Sequence, residues 1–193
     1  MCNEVARRIA LDQLRADWGE TRIPLRFPEG APNMAPLDSI RITDPTVILR
    51  QAAEGEAAEL VTRRWSWPGP GGRPVYNFRS DGRRLDQGRC LIPVTAFFEF
   101  TAAPAGSKRK TRWSCRLAGH NWFCIAGLWR RDEGVGEAFT MLTCPPGPDI
   151  APVHDRQMVV LGREEWAGWL DPTRPAAEFC RPLTAGALLV ERG

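Results

Sequence analysis

Residues 90–101 read CLIPVTAFFEFT, and this apolar, aromatic stretch predicts a strand buried in the interior. Pro93 has no N–H to give to a ladder, which puts the start of that strand at an edge or a bulge. Upstream, Leu11, Leu14 and Trp18 recur at i, i+3 and i+7, with Val5 and Ile9 on a neighbouring stripe, so the spacing predicts a helix over 4–18. Pro24 and Pro28 end it, and residues 27–44 read as a loop with a short strand at 39–42. Strands are expected at 46–51 and 58–67, joined through Glu54-Gly55, with a breaker at Pro68-Gly69-Pro70-Gly71-Gly72 and an extended piece at 75–79.

Downstream, 102–109 is a polar loop. Residues 111–117 and 121–131 read as a hairpin through Ala118-Gly119, followed by a strand at 137–144. After Pro145-Pro146-Gly147-Pro148 come a short strand at 157–161, a short helix at 163–170 and a last strand at 187–190. Strands outnumber helices and the turns imply antiparallel pairing. The expectation is an α+β fold, mainly antiparallel sheet and barrel-like, with a few short flanking helices, built as a single domain over residues 1–193 and monomeric.

No run approaches the ~20 apolar residues of a membrane span. No apolar segment follows Arg7-Arg8, so a signal peptide is not expected and the reading is cytoplasmic. In such a compartment the six cysteines are free thiols, and none forms a C-x-x-C pair, so the reading calls for no metal and no cofactor. Cys90, Cys115, Cys124 and Cys144 lie in apolar stretches as small core residues. Between Arg79 and Arg112 eight basic residues face three acidic ones, the footprint of a phosphate-backbone binder or of a solvated basic face.

Cys2 differs in kind from the other cysteines. Once Met1 is removed it carries a thiol and a free α-amine on adjacent carbons, a pair that can close a thiazolidine on an aldehyde. Glu99 stands among Phe97, Phe98 and Phe100, where desolvation would raise its pKa and suit it to acid/base work. Strand alternation sets Phe98 and Phe100 on the opposite face from Glu99. His154 follows a proline-rich break and titrates near neutrality. Asn77 and Arg79 share a face at i and i+2, offering an amide beside a guanidinium. Trp65 or Trp67 would stack an unpaired base, or else belong to the core.

These residues sit within a longer ordered series. It comprises Met1-Cys2, Asn33-Met34-Ala35-Pro36, Arg64-Trp65, Asn77-Phe78-Arg79, Arg89-Cys90-Leu91-Ile92-Pro93, Ala96-Phe97-Phe98-Glu99-Phe100, FCIAGLW from Phe123, FTMLT from Phe139, and His154 with Met158. In this the chain resembles the SOS response-associated peptidase (SRAP) family. It departs from the family at Asn3-Glu4, where Gly-Arg is usual, and at Ser66, where Gly is usual.

The resemblance implies a role for each matching position. Cys2 would be the nucleophile. Asn77 would hold its amine and the reacting sugar. Glu99 would move protons during imine formation and ring-opening, and His154 would act as acid/base at the sugar hydroxyl. Asn33, Arg79 and Thr143 would contact the DNA backbone. The implied partner is single-stranded DNA containing an abasic site, whose open-chain deoxyribose presents an aldehyde. The implied activity is a covalent DNA–protein link in the DNA-damage (SOS) response, an enzyme of peptidase or hydrolase class with lyase-like chemistry. Two rival functions stay open: a thiol peptidase using Cys2 with His154 and Asn77, and a non-covalent single-strand-binding module.

Overall fold

The computed structural model describes residues 2–193. Among the described residues the strands form a nine-stranded sheet, a five-stranded sheet and a two-stranded ribbon, flanked by helices Leu11–Gly19 and Arg163–Leu170. Five strands of the larger sheet close on themselves. Gly136–Cys144 pairs with Phe123–Asp132, which pairs with Arg89–Val94, then Pro45–Gln51, then Ala58–Trp65. The ring is completed by a short parallel contact of Ala58–Trp65 back to Gly136–Cys144, with Ala138 opposite Arg64 and Phe139 opposite Trp65. The expected barrel-like, mainly antiparallel architecture is therefore present.

Alternation along these strands builds two cores. Leu49, Leu91, Cys124, Ala126 and Leu142 point one way, onto a cluster containing Trp18, Trp122, Trp166 and Trp169 from the helical side. Ile48, Cys90, Ile92, Phe123, Ile125, Phe139 and Met141 point the other way, toward Cys2, Val5, Phe97 and Cys115 of the five-stranded sheet. A strand buried on both faces reads as a continuous apolar run, and these do. Cys90, Cys115, Cys124 and Cys144 are buried free thiols, as their apolar neighbours implied.

Three expectations need correction. Residues 90–101 are not one strand. Arg89–Val94 lies in the barrel and Ala96–Thr101 in the five-stranded sheet, with Thr95 between them. Pairing of Arg89–Val94 to Pro45–Gln51 covers only Cys90 and Leu91, so it has ended before Pro93, where an N–H would be missing. Residues 4–18 are not one helix. Glu4–Arg7 is a buried strand between Leu37–Arg41 and Ala96–Thr101, and the helix starts at Leu11. Residues 111–131 are not a hairpin. Thr111–Leu117 pairs with Ala96–Thr101 and Leu188–Arg192, while Phe123–Asp132 belongs to the barrel. No helix among the described residues is long and apolar enough to cross a membrane.

Candidate active site

Strand Glu4–Arg7 pairs antiparallel with Ala96–Thr101, Glu4 opposite Phe98, and this register carries Cys2 alongside Glu99. The Cys2 backbone N–H lies near enough to the Glu99 carboxylate to favour its ionised form. Asn77 opens strand Asn77–Arg79, which runs parallel to Gly136–Cys144 with Asn77 opposite Met141 and Arg79 opposite Thr143. From there its Nδ2 donates to the Cys2 carbonyl at 2.7 Å. His154 ends a tight turn in which its N–H donates to Ile150 O at 2.9 Å, just before the Gln157–Met158 strand returns to Thr143 and Cys144. Its Nε2 lies 4.0 Å from Glu99 Oε2. Four residues spread over most of the chain thus meet at one point.

The site is buried at Cys2 and Glu99 and half-buried at Asn77 and His154. Cys2 is 0% exposed and Glu99 1% exposed. Burial, reinforced by the nearby Glu99 charge, pushes the Cys2 thiol up to about 12. The thiol meanwhile donates to the Glu4 carbonyl at 3.2 Å. Burial also lifts Glu99 to about 7. Burial lowers His154, and the Asp155 carboxylate opposes that shift. Asn77 Oδ1 is buried with no hydrogen-bond partner among the described residues, an acceptor with capacity to spare.

The residues assigned to DNA are dispersed. Arg79 is exposed beside this cluster. Asn33 is exposed in the loop before Leu37–Arg41, its Oδ1 accepting from Ala35 N–H at 3.0 Å. That loop is tied down by Arg7, which bonds the Ala35 carbonyl at 3.3 Å. Thr143 is buried, its carbonyl accepting from Arg156 Nη2 at 2.8 Å and its hydroxyl 3.3 Å from the same nitrogen. Trp65 is core, stacked on Phe139 at 6.4 Å with its indole N–H on the Tyr76 carbonyl, and is closed to any base. Trp67 is buried too, beneath Arg130.

The basic run divides. Arg79, Arg83, Arg84, Lys108, Arg109 and Lys110 are exposed, but Arg89 is internal and Arg112 bridges Glu4 at 2.8 Å. Sequence reasoning passed over Asp155 and Arg156. The signal was their adjacency to the candidate histidine.

The sequence profile of the SOS response associated peptidase (SRAP) family matches residues 1–190. Two curated Bacillus subtilis (strain 168) proteins named abasic site processing protein are similar. YoaM is 29% identical over 105 residues, covering 52% of this chain and 45% of that one. YobE is 30% identical over 103 residues, covering 51% and 46%. The matched stretch thus spans less than half the length of these curated relatives. Among solved structures, a protein from Bacteroides thetaiotaomicron superposes with TM-score 0.76 at 16% identity, covering 99% of this chain and 91% of its own. One from Bordetella bronchiseptica superposes with TM-score 0.70 at 21% identity, covering 100% and 99%. At such identities the superpositions speak for the fold alone, whereas the profile runs through the segments that carry Cys2, Asn77, Glu99 and His154: the chain belongs to the SOS response associated peptidase (SRAP) family.

Proposed function

We propose that this protein processes abasic sites in single-stranded DNA by covalent capture on Cys2, as part of a DNA-damage (SOS) response in the cytoplasm, and that it acts as a monomer. The observation that carries this is the Cys2 nitrogen, held against the Glu99 carboxylate while Asn77 grips the next carbonyl. With Met1 removed, that nitrogen is a primary amine already seated beside an acid/base group. Met1 itself lies outside the described residues.

In the proposed sequence the amine attacks C1 of the ring-opened deoxyribose and water leaves as the imine forms. The thiol then adds its sulfur to the imine carbon, and its proton passes to the nitrogen, closing a thiazolidine. Glu99, titrating near 7, is matched to carry these protons at neutral pH. An α-amine with a reference pKa of about 7.7–8.0 is partly neutral there. Asn77 Oδ1 would accept from the amine or a sugar hydroxyl. His154 would serve the hydroxyl side, and Arg79, Arg156 and Asn33 would hold phosphates. The relatives named for abasic-site processing support the same substrate.

A thiol-peptidase reading is less well supported by the same geometry. Such an enzyme needs a thiolate near neutrality, and burial holds this thiol protonated up to about 12. Its histidine lies with Nε2 4.0 Å from Glu99 Oε2, a carboxylate that suits proton transfer at the amine. Imine formation uses the amine first and asks for no standing thiolate.

Intact-mass measurement tests the proposal. Wild type should lack Met1 and, mixed with an abasic oligonucleotide, gain the oligonucleotide mass less one water. Cys2→Ala should give no denaturation-resistant adduct. Equal crosslinking by Cys2→Ala, or full crosslinking by protein that retains Met1, would overturn it.

A further inference from the structure

His154 Nδ1 has two neighbours that ask opposite things of it. The Arg156 backbone N–H donates to it at 2.9 Å, which requires a bare lone pair. The Asp155 carboxylate lies 2.9 Å from the same atom, which suits only a protonated Nδ1. The amide is fixed in place, because the Arg156 side chain is bound to Asp81 and to the Thr143 carbonyl. The other ring nitrogen, Nε2, faces Glu99.

The choice at Nδ1 decides what Nε2 can do. A neutral ring held by the Arg156 amide carries its hydrogen on Nε2 and has no lone pair to offer the site. A ring whose Nδ1–H is held by Asp155 has its lone pair on Nε2. It can then take a proton from the site to become imidazolium and return it from the same atom, with Asp155 a carboxylate throughout.

From this geometry we propose that Asp155 is a positioning residue that switches His154 from a resting hydrogen-bond donor to a working proton carrier. The charged groups facing the imidazole are Glu99 from strand Ala96–Thr101 and Asp155 from its own segment, joined by the Cys2 α-amine once Met1 is gone; Arg156 presents only its backbone amide. The Asp155 side chain is 83% exposed, so solvent screens its charge and its main lever is the tautomer, not a large shift in affinity for protons. The link to catalysis rests on the proposed function; the hold on the ring does not.

Nitrogen-15 NMR of histidine-labelled protein separates the two, with His120, exposed in a turn, as internal control. Spectra of wild type, Asp155→Asn and Asp155→Glu would be followed from about pH 5 to about pH 8. Asp155→Asn should move His154 toward the Nε2–H tautomer and lower its midpoint by about half a unit, and Asp155→Glu should restore both. Capture of an abasic oligonucleotide near neutrality should slow about tenfold in Asp155→Asn. Binding of an intact strand should not weaken. Identical tautomer and midpoint in wild type and Asp155→Asn would overturn the proposal. If the tautomer responds while even wild type captures no abasic DNA, the switch stands and the function assigned to it fails.

Discussion

Glu99 is a carboxyl group kept inside the protein, and keeping it there has a pH-dependent cost. Its folded pKa of about 7 lies above the ordinary 4.5, with burial the main cause. Below 4.5 both folded and unfolded chains hold the proton, and ionisation costs nothing. As pH rises from there the unfolded chain gives up its proton first, so stability falls, and above about 7 the full penalty applies. Replacing Glu99 by Gln keeps an acceptor for the Cys2 N–H and removes the ionisation. We therefore expect Glu99→Gln to be more stable than wild type at about pH 8, by the order of 1–3 kcal/mol, with the advantage gone at about pH 4. Thermal melts at the two pH values check this. The same variant should slow abasic-DNA capture by about 100-fold, since it can no longer exchange a proton. A group that destabilises the fold at working pH while sitting on the reacting nitrogen is what a site selected for chemistry looks like.

At the scale of elements, Ser66 shows how a local rule and a family pattern meet. It joins strands Ala58–Trp65 and Trp67–Pro68 with φ of 81°, a left-handed conformation, and its N–H donates to the Phe139 carbonyl at 2.7 Å. This is the position where the family has Gly. A left-handed L-residue costs about 1–2 kcal/mol, and the extra unfolded-chain freedom of Gly costs about 0.5–1. Ser66→Gly should therefore gain about 0.5–1 kcal/mol, a rise in Tm of roughly 1–4 °C. Ser66→Val should lose stability, because branching at Cβ makes the left-handed region worse.

The elements the sequence announced best were those with a clean period and a turn at the end, such as Pro45–Gln51 with Ala58–Trp65 and helix Arg163–Leu170. Those misread share a cause. Glu4–Arg7 is a short strand, buried at every position, so it has no alternation to declare it, and Val5 and Ile9 fell in step with the helix that follows. The break at Thr95 leaves no mark because apolar residues continue on both sides, one set facing the barrel and the other the second sheet.

Over the whole molecule, the residue types at the site were visible in the chain, but their meeting was not. Cys2 reaches Glu99 through a strand pairing, and Asn77 and His154 reach them through two separate segments that both lie on Gly136–Cys144. Nothing local encodes those long-range registers. The basic run shows the same limit, for composition counts charges without saying which are outside. Arg89 is 6% exposed and spends its guanidinium on main-chain carbonyls of Leu85, Trp169, Asp171 and Arg174, with the face of Trp169 4.9 Å away. It fastens the C-terminal end of helix Arg163–Leu170, where unpaired carbonyls favour a cation, to the barrel strand it begins. Arg79, ten positions earlier, is exposed at the surface, two residues along its strand from Asn77.

The two arginines should therefore fail in opposite ways. Arg89→Met leaves those carbonyls without a donor and should cost about 3 kcal/mol or more, seen as a large drop in Tm. Below its melting point it should bind intact single-stranded DNA with the wild-type salt slope. Arg79→Met should leave Tm nearly unchanged but weaken that binding and reduce the salt slope by about one counterion. A melt and a salt titration on each variant decide the matter. If Arg89→Met flattens the salt dependence, or Arg79→Met leaves both affinity and slope intact, then the division of this basic segment into an internal clamp and a phosphate-facing rim is wrong, and with it the placement of the DNA path beside Cys2.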